Sequence, residues 1–105
     1  MNIWSHSWAV ITSDREKARE LMQRIENDHG ASVYHRIDGV DRMLLRFSDG
    51  VSLRWLRPAE SIRGYRTGKL WCDVNIDQET LNNVILPKYR GKTKDIIWFG
   101  GSDAD

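Results

Sequence analysis

Only one cysteine, Cys72, occurs in the chain, so no intrachain disulfide framework holds it together, and this agrees with a reducing compartment. No apolar run approaches the roughly 20 residues needed to cross a bilayer. The opening residues Met1-Asn2-Ile3-Trp4-Ser5-His6 have neither a basic n-region nor a small-residue cleavage site. The expectation is a cytoplasmic protein, in a bacterial host, with no membrane partner. Repeats and low-complexity stretches are also missing, and 105 residues with 40% hydrophobic content fit one domain. That domain is expected over residues 1–99, with a mobile tail over 100–105.

Several catalytic signatures are absent as well. No G-x-x-x-x-G-K-[ST] phosphate cradle, no C-x₂-C or H-x₃₋₅-H metal spacing and no G-x-S-x-G nucleophile turn occurs. No cofactor is expected. Cys72 lies inside an apolar run, where a buried thiol is inert. A metal or catalytic site would have to be assembled by the fold, and His35, Cys72 and Asp73 are one such set. A nuclease-like cluster of Asp38, Asp41, Asp49 or Glu60 with Lys69 is another.

What is present is unevenly placed charge. The net charge is +1, yet residues 36–69 hold eight Lys/Arg against four Asp/Glu. Eleven of the sixteen cations in the chain are arginine, the side chain suited to bidentate contact with phosphate or carboxylate.

Trp8 to Thr12 reads as a buried strand leading into a helix. Ser13 with Glu16 has capping-box spacing, and Ala18, Leu21, Met22 and Ile25 form one apolar stripe on a helix of about 15 residues. His29-Gly30 supplies a stop. Three extended segments follow, Ser32 to Ile37, Arg42 to Phe47 and Val51 to Leu56, separated by Asp38-Gly39 and Asp49-Gly50, the pair that tight hairpin turns favour. Alternation puts Val33, His35, Ile37, Met43, Leu45, Phe47, Val51, Leu53 and Trp55 on one face. Tyr34, Arg36, Arg42, Leu44, Arg46, Ser52, Arg54 and Leu56 fall on the other.

That second face is either a solvated surface or a binding platform, with Tyr34 and Trp71 as stacking residues. Pro58 to Lys69 reads as a basic loop carrying Arg63, Tyr65 and Arg66. Lys69 to Asp73 is a strand, Asp77 caps a second helix with Leu81, Val84 and Ile85 inward and Pro87 as its stop, and Asp95 to Phe99 is a last strand. Of the tryptophans, Trp8, Trp55 and Trp98 are expected in the core and Trp4 and Trp71 at the surface. The fold class is α/β, with α+β as the alternative: a two- or three-layer domain with a mixed sheet of five to six strands and two main helices.

This order, with Leu44-Leu45-Arg46-Phe47-Ser48-Asp49-Gly50-Val51-Ser52-Leu53-Arg54-Trp55 followed by Ser61-Ile62-Arg63-Gly64-Tyr65-Arg66-Thr67-Gly68-Lys69-Leu70-Trp71-Cys72-Asp73, resembles the middle of a P-loop ATPase core of the phage large terminase and helicase-like kind. The resemblance implies that Asp73 stands where such motors close their Walker B strand. The glutamate that follows in them is replaced by Val74. Asp73 is thus a weak metal candidate, and its plainer reading is a polar strand end or a partner for Arg63 or Arg66.

A chain without cradle, lysine or glutamate keeps almost none of the positioning that phosphoryl transfer needs. The function expected is therefore non-enzymatic: a small phage or mobile-element protein that inhibits or modulates a host nucleic-acid machine, anti-CRISPR-like, bound to a host protein or ribonucleoprotein. The binding residues expected are Tyr34, Arg36, Arg42, Arg46, Arg54, Arg57, Arg63, Tyr65, Arg66 and Lys69. Alternatives are a DNA- or RNA-binding packaging accessory, or a nucleotide hydrolase or nuclease completed by a partner. Dimerisation through an exposed strand edge is open to it.

Overall fold

In the computed structural model, residues 6–58, 68–86 and 96–100 are described. The chain runs β1 (Ser7–Ile11), α1 (Arg15–His29), β2 (Val33–Asp38), β3 (Met43–Phe47), β4 (Ser52–Leu56), β5 (Lys69–Asp73), α2 (Gln78–Thr80) and β6 (Ile97–Phe99). After α2 the helix widens into a π-turn over Leu81–Ile85, where the Leu86 N–H reaches the Leu81 carbonyl.

The strands form one mixed sheet in the order β2-β3-β4-β1-β5-β6. β1 pairs in parallel with both β4 and β5, and β5 in parallel with β6, while β2, β3 and β4 form the antiparallel meander. This is the expected α/β domain with six strands.

The period-2 pattern decides what lies on each face. Val10, Leu45, Phe47, Leu53, Trp55 and Trp71 share one side and bury the Ala18, Leu21, Met22 and Ile25 stripe of α1. Ala9 and Ile11 alternate with Val10 along β1, so they face the other way, and with Leu70 and Cys72 they pack on Leu81, Ile85 and Ile96. The two helical segments therefore cover opposite faces and the domain has three layers. Each fully buried Leu, Ile or Met contributes roughly 1.5–3 kcal/mol, so α1 is held mainly by its stripe and not by helix propensity.

Four local expectations are corrected. Asp14, not Ser13, caps α1: its carboxylate accepts the Glu16 and Lys17 N–H groups, so no capping box forms. The Asp-Gly pairs do not make two-residue turns. At the β3–β4 connection the Gly50 N–H donates to the Phe47 carbonyl (3.0 Å), and Gly50 alone takes a left-handed conformation (φ 96). That is a type I turn closed by a glycine bulge. At the β2–β3 connection Gly39 has no positive φ, and its N–H donates to the Arg42 carbonyl across a four-residue loop, 39–42.

The third correction concerns β2. Its pairing with β3 shifts register between Val33 and His35, so Val33 lies opposite Phe47 but His35 lies opposite Arg46 and Arg36 opposite Leu45. One extra residue, Tyr34, reverses the facing of everything after it. His35 and Ile37 leave the α1 side, and Arg36 and Asp38 join it. Fourth, the tryptophans change places: Trp71 on interior strand β5 is 7% exposed, while Trp98 on β6 is 45% exposed. Trp8 and Trp55 are in or against the core as expected, and Trp4 lies outside the described residues.

Candidate binding surfaces

The arginines expected on one platform are distributed over both faces. On the α1 side, Arg36 donates to Glu26 of α1 (2.8 Å). That hydrogen bond holds its pKa above the ordinary arginine value, against the opposing effect of partial burial. On the same side Asp38 receives Arg15 (3.1 Å) and Arg19 (3.4 Å). Arg57 pairs with Asp41 (3.1 Å) and stacks over Trp55 at 4.9 Å.

The far side of the meander keeps the rest. Arg46 sits across from His35 on β2 and Ser52 on β4, and Arg54 across from Leu44. Arg42 and Arg46 are exposed, Arg54 is half-buried, and Tyr34 projects from the bulge with 68% exposure. Leu44, expected on an open surface, is only 3% exposed beneath its neighbours. Arg63, Tyr65 and Arg66 lie outside the described residues.

Asp73 ends β5 beside the end of β1, where α1 departs to one face of the sheet and α2 to the other. This is the switch-point position that hosts ligands in open α/β sheets. Here the carboxylate is turned inward and is 3% exposed. It accepts the Thr12 hydroxyl (2.6 Å) and the Asn75 N–H (2.9 Å), and the Lys17 ammonium lies at 3.7 Å.

Thr12 is a relay in this corner. Its oxygen also accepts the Asp14 N–H (3.0 Å), and its carbonyl receives the Trp55 indole N–H (2.9 Å). Lys17 also donates to the Gly100 carbonyl (3.3 Å). A Cβ at Gly100 would sit 3.1 Å from Asp73 Oδ1, and φ is +79 there, so a side chain at this position would be strained. The described partners are Thr12, Lys17 and Asn75; Arg63 and Arg66, the partners read from the sequence, lie outside the described residues. Thr12 and Lys17 carry no motif; only the parallel β1–β5 pairing brings them to Asp73.

The other candidate clusters are not assembled among the described residues, and Glu60 lies outside them. His35 on β2 and Cys72 on β5 are four strand positions apart, about 19 Å at the usual spacing. Burial pushes the Cys72 thiol up to about 12, with the Asp73 charge adding to it, so it is held as the neutral thiol at physiological pH. Asp38 and Asp41 are engaged by arginines, and Lys69 faces a different part of the molecule. Among the described residues no three His, Cys, Asp or Glu side chains are grouped to hold a metal ion, and no helix is long and apolar enough to cross a membrane.

A concavity on the α1 side was not legible in the sequence. It lies over β5 and β6, beside the stripe of α1, with a volume of about 410 Å³. Trp8, Trp71, Ile97 and Phe99 form its floor and Leu21 and Ile25 its wall, with Arg24, Asp28 and Lys69 among its polar lining. The Trp8 and Trp71 rings are 5.7 Å apart, and the Lys69 ammonium lies over both, at 4.7 and 5.2 Å. At one end His29 is wedged edge-on against Trp8 and Phe47, its Nε2 2.7 Å from Asp49. No protein-family model, curated protein or solved structure matches this chain.

Proposed function

We propose that this chain acts by contact: a non-enzymatic binding protein, of the kind phages and mobile elements encode, that docks on a host nucleic-acid machine and modulates or inhibits it through the arginine-bearing face of β2, β3 and β4. One contrast carries this reading. Arg15, Arg19, Arg36 and Arg57 each meet a carboxylate, whereas Arg42 and Arg46 are exposed and have no acidic partner among the described residues. With His35 opposite Arg46 and Tyr34 exposed at the bulge, this surface suits a carboxylate- or phosphate-bearing partner.

Two further features favour contact over nucleotide turnover. The α1 N-terminus, which in a P-loop machine faces phosphate, is satisfied here by the Asp14 carboxylate. The Asp73 carboxylate is engaged by Thr12 and Lys17 and turned inward. A kinship with degenerate motor cores remains part of the proposal.

The test is affinity capture from host lysate by the wild type and by the Arg42→Glu, Arg46→Glu double variant, with the retained proteins identified by mass spectrometry. A nucleic-acid-processing complex is expected on the wild type and not on the variant. The variant's stability should stay within about 0.5 kcal/mol per exposed substitution. Retention of the same proteins by both would refute the reading. The exposed Tyr34 favours a second reading, direct DNA or RNA binding by the same face. In that case affinity falls with salt by about 0.7 to 0.9 log units per phosphate contacted, and the double variant flattens the slope.

A further inference from the structure

β2 ends the sheet on its side and pairs only with β3 among the described residues. At the adjoining loop the Gly39 N–H points across to the Arg42 carbonyl. Hydrogen-bonded and non-hydrogen-bonded pairs alternate along an antiparallel ladder, so Ile37 and His35 direct their backbone groups at β3. The N–H and C=O of Arg36 and Asp38 therefore point away from the sheet, where a further strand can take them up.

Charge decides which strand fits. Alternating charged side chains protect a sheet edge by blocking most registers, yet this edge is complementary to itself in one. In an antiparallel pairing of two copies, only residues with outward backbone groups exchange bonds. Arg36 against Arg36, or Asp38 against Asp38, sets like charges directly opposite, which is destabilising. Arg36 against Asp38 sets opposite charges together on both sides of the axis. Ile37 then meets Ile37 at the centre, in a non-hydrogen-bonded pair, where side chains approach most closely. The same register brings Tyr34 of one copy opposite Val40 of the other, and these two apolar side chains are 68% and 75% exposed.

We propose that the protein forms a two-fold dimer through β2, with Ile37 on the axis, Arg36 exchanging backbone bonds and charge with Asp38 of the second copy, and the two sheets joined into one. The existing ion pairs survive the join. Arg36 uses Nη2 on Glu26, and Asp38 accepts Arg15 and Arg19, which leaves guanidinium donors and carboxylate lone pairs for the second copy. The axis runs through the sheet, so the arginine-bearing faces of both copies lie on one side. The dimer does not depend on what that face binds.

The contact is short, so association is expected at about 0.1–1 mM. Sedimentation equilibrium over that range should show the average mass rising from 12.2 kDa towards twice that value. Ile37→Lys and Ile37→Glu should each weaken the dimer about tenfold, since like charges then meet on the axis. An equimolar mixture of the two variants should regain wild-type association, which a purely structural role for Ile37 would not give. Oxidised Ile37→Cys should form a disulfide-linked dimer, because the Cα separation of a non-hydrogen-bonded pair suits a disulfide, and Tyr34→Cys should not; the native Cys72 is buried.

A mass that stays at 12.2 kDa up to about 1 mM would overturn the proposal. So would association left unchanged in both Ile37→Lys and Ile37→Glu, a mixture no stronger than either variant alone, or crosslinking at position 34 in place of 37.

Discussion

Thr12 shows how much one hydroxyl can organise. It donates to a buried carboxylate, accepts the N–H of the residue that caps α1, and its carbonyl holds the Trp55 indole. A buried carboxylate that loses a donor incurs the cost of its own desolvation, about 1–3 kcal/mol and more for a charged group. Thr12→Val keeps the shape and removes the donor, so chemical denaturation should show a loss of at least about 2 kcal/mol. Thr12→Ser keeps the donor and should lose much less. Equal losses for the two substitutions would mean that packing of the methyl group, and not the bond to Asp73, sets the cost.

At the scale of elements, the start of α1 separates two chemistries that look alike in sequence. Ser13, Asp14 and Glu16 are all plausible in a cap. The structure uses Asp14, whose Oδ1 lies 3.0 Å from the Glu16 nitrogen and 3.2 Å from that of Lys17. Asp14→Ala should therefore cost about 1 kcal/mol in thermal or urea unfolding, while Ser13→Ala should be close to neutral.

The second elemental lesson is the β2 bulge. Periodicity assigned faces correctly for β3 and β4, because a regular strand alternates without interruption. It failed for β2 from His35 onward, because nothing local distinguishes a strand with one extra residue. The ion pairs of Arg36 with Glu26 and of Asp38 with Arg15 and Arg19 are satisfied only in the shifted register, which places both side chains under α1.

Across the whole molecule, two exposed carboxylates link stability to pH. Asp49 is held below its ordinary value chiefly by the Val51 N–H, with His29 adding to it, and Asp77 chiefly by the Thr80 N–H that it caps. A carboxylate whose folded pKa is depressed adds stability above its unfolded pKa and loses it as pH falls through the folded one. Stability should therefore hold down to about pH 4 and decline below it. Asp49→Asn and Asp77→Asn should each make the acid limb shallower in thermal melts recorded from neutral to acid pH, and an unchanged limb in both would assign acid unfolding to other groups.

By itself the sequence determined the element order, the α1 stripe with its glycine stop, the burial of Cys72, the Asp77 cap and the α/β class, because each depends on residues a few positions apart. Only the tertiary structure decided which tryptophan is buried. Trp71 lies between β1 and β6, and Trp98 lies on a strand paired on one side among the described residues. It also decided that Asp73 meets Thr12 and Lys17, and that an aromatic cleft opens beside α1. Strand order and register are long-range properties, set by which surfaces bury together, and no local pattern encodes them.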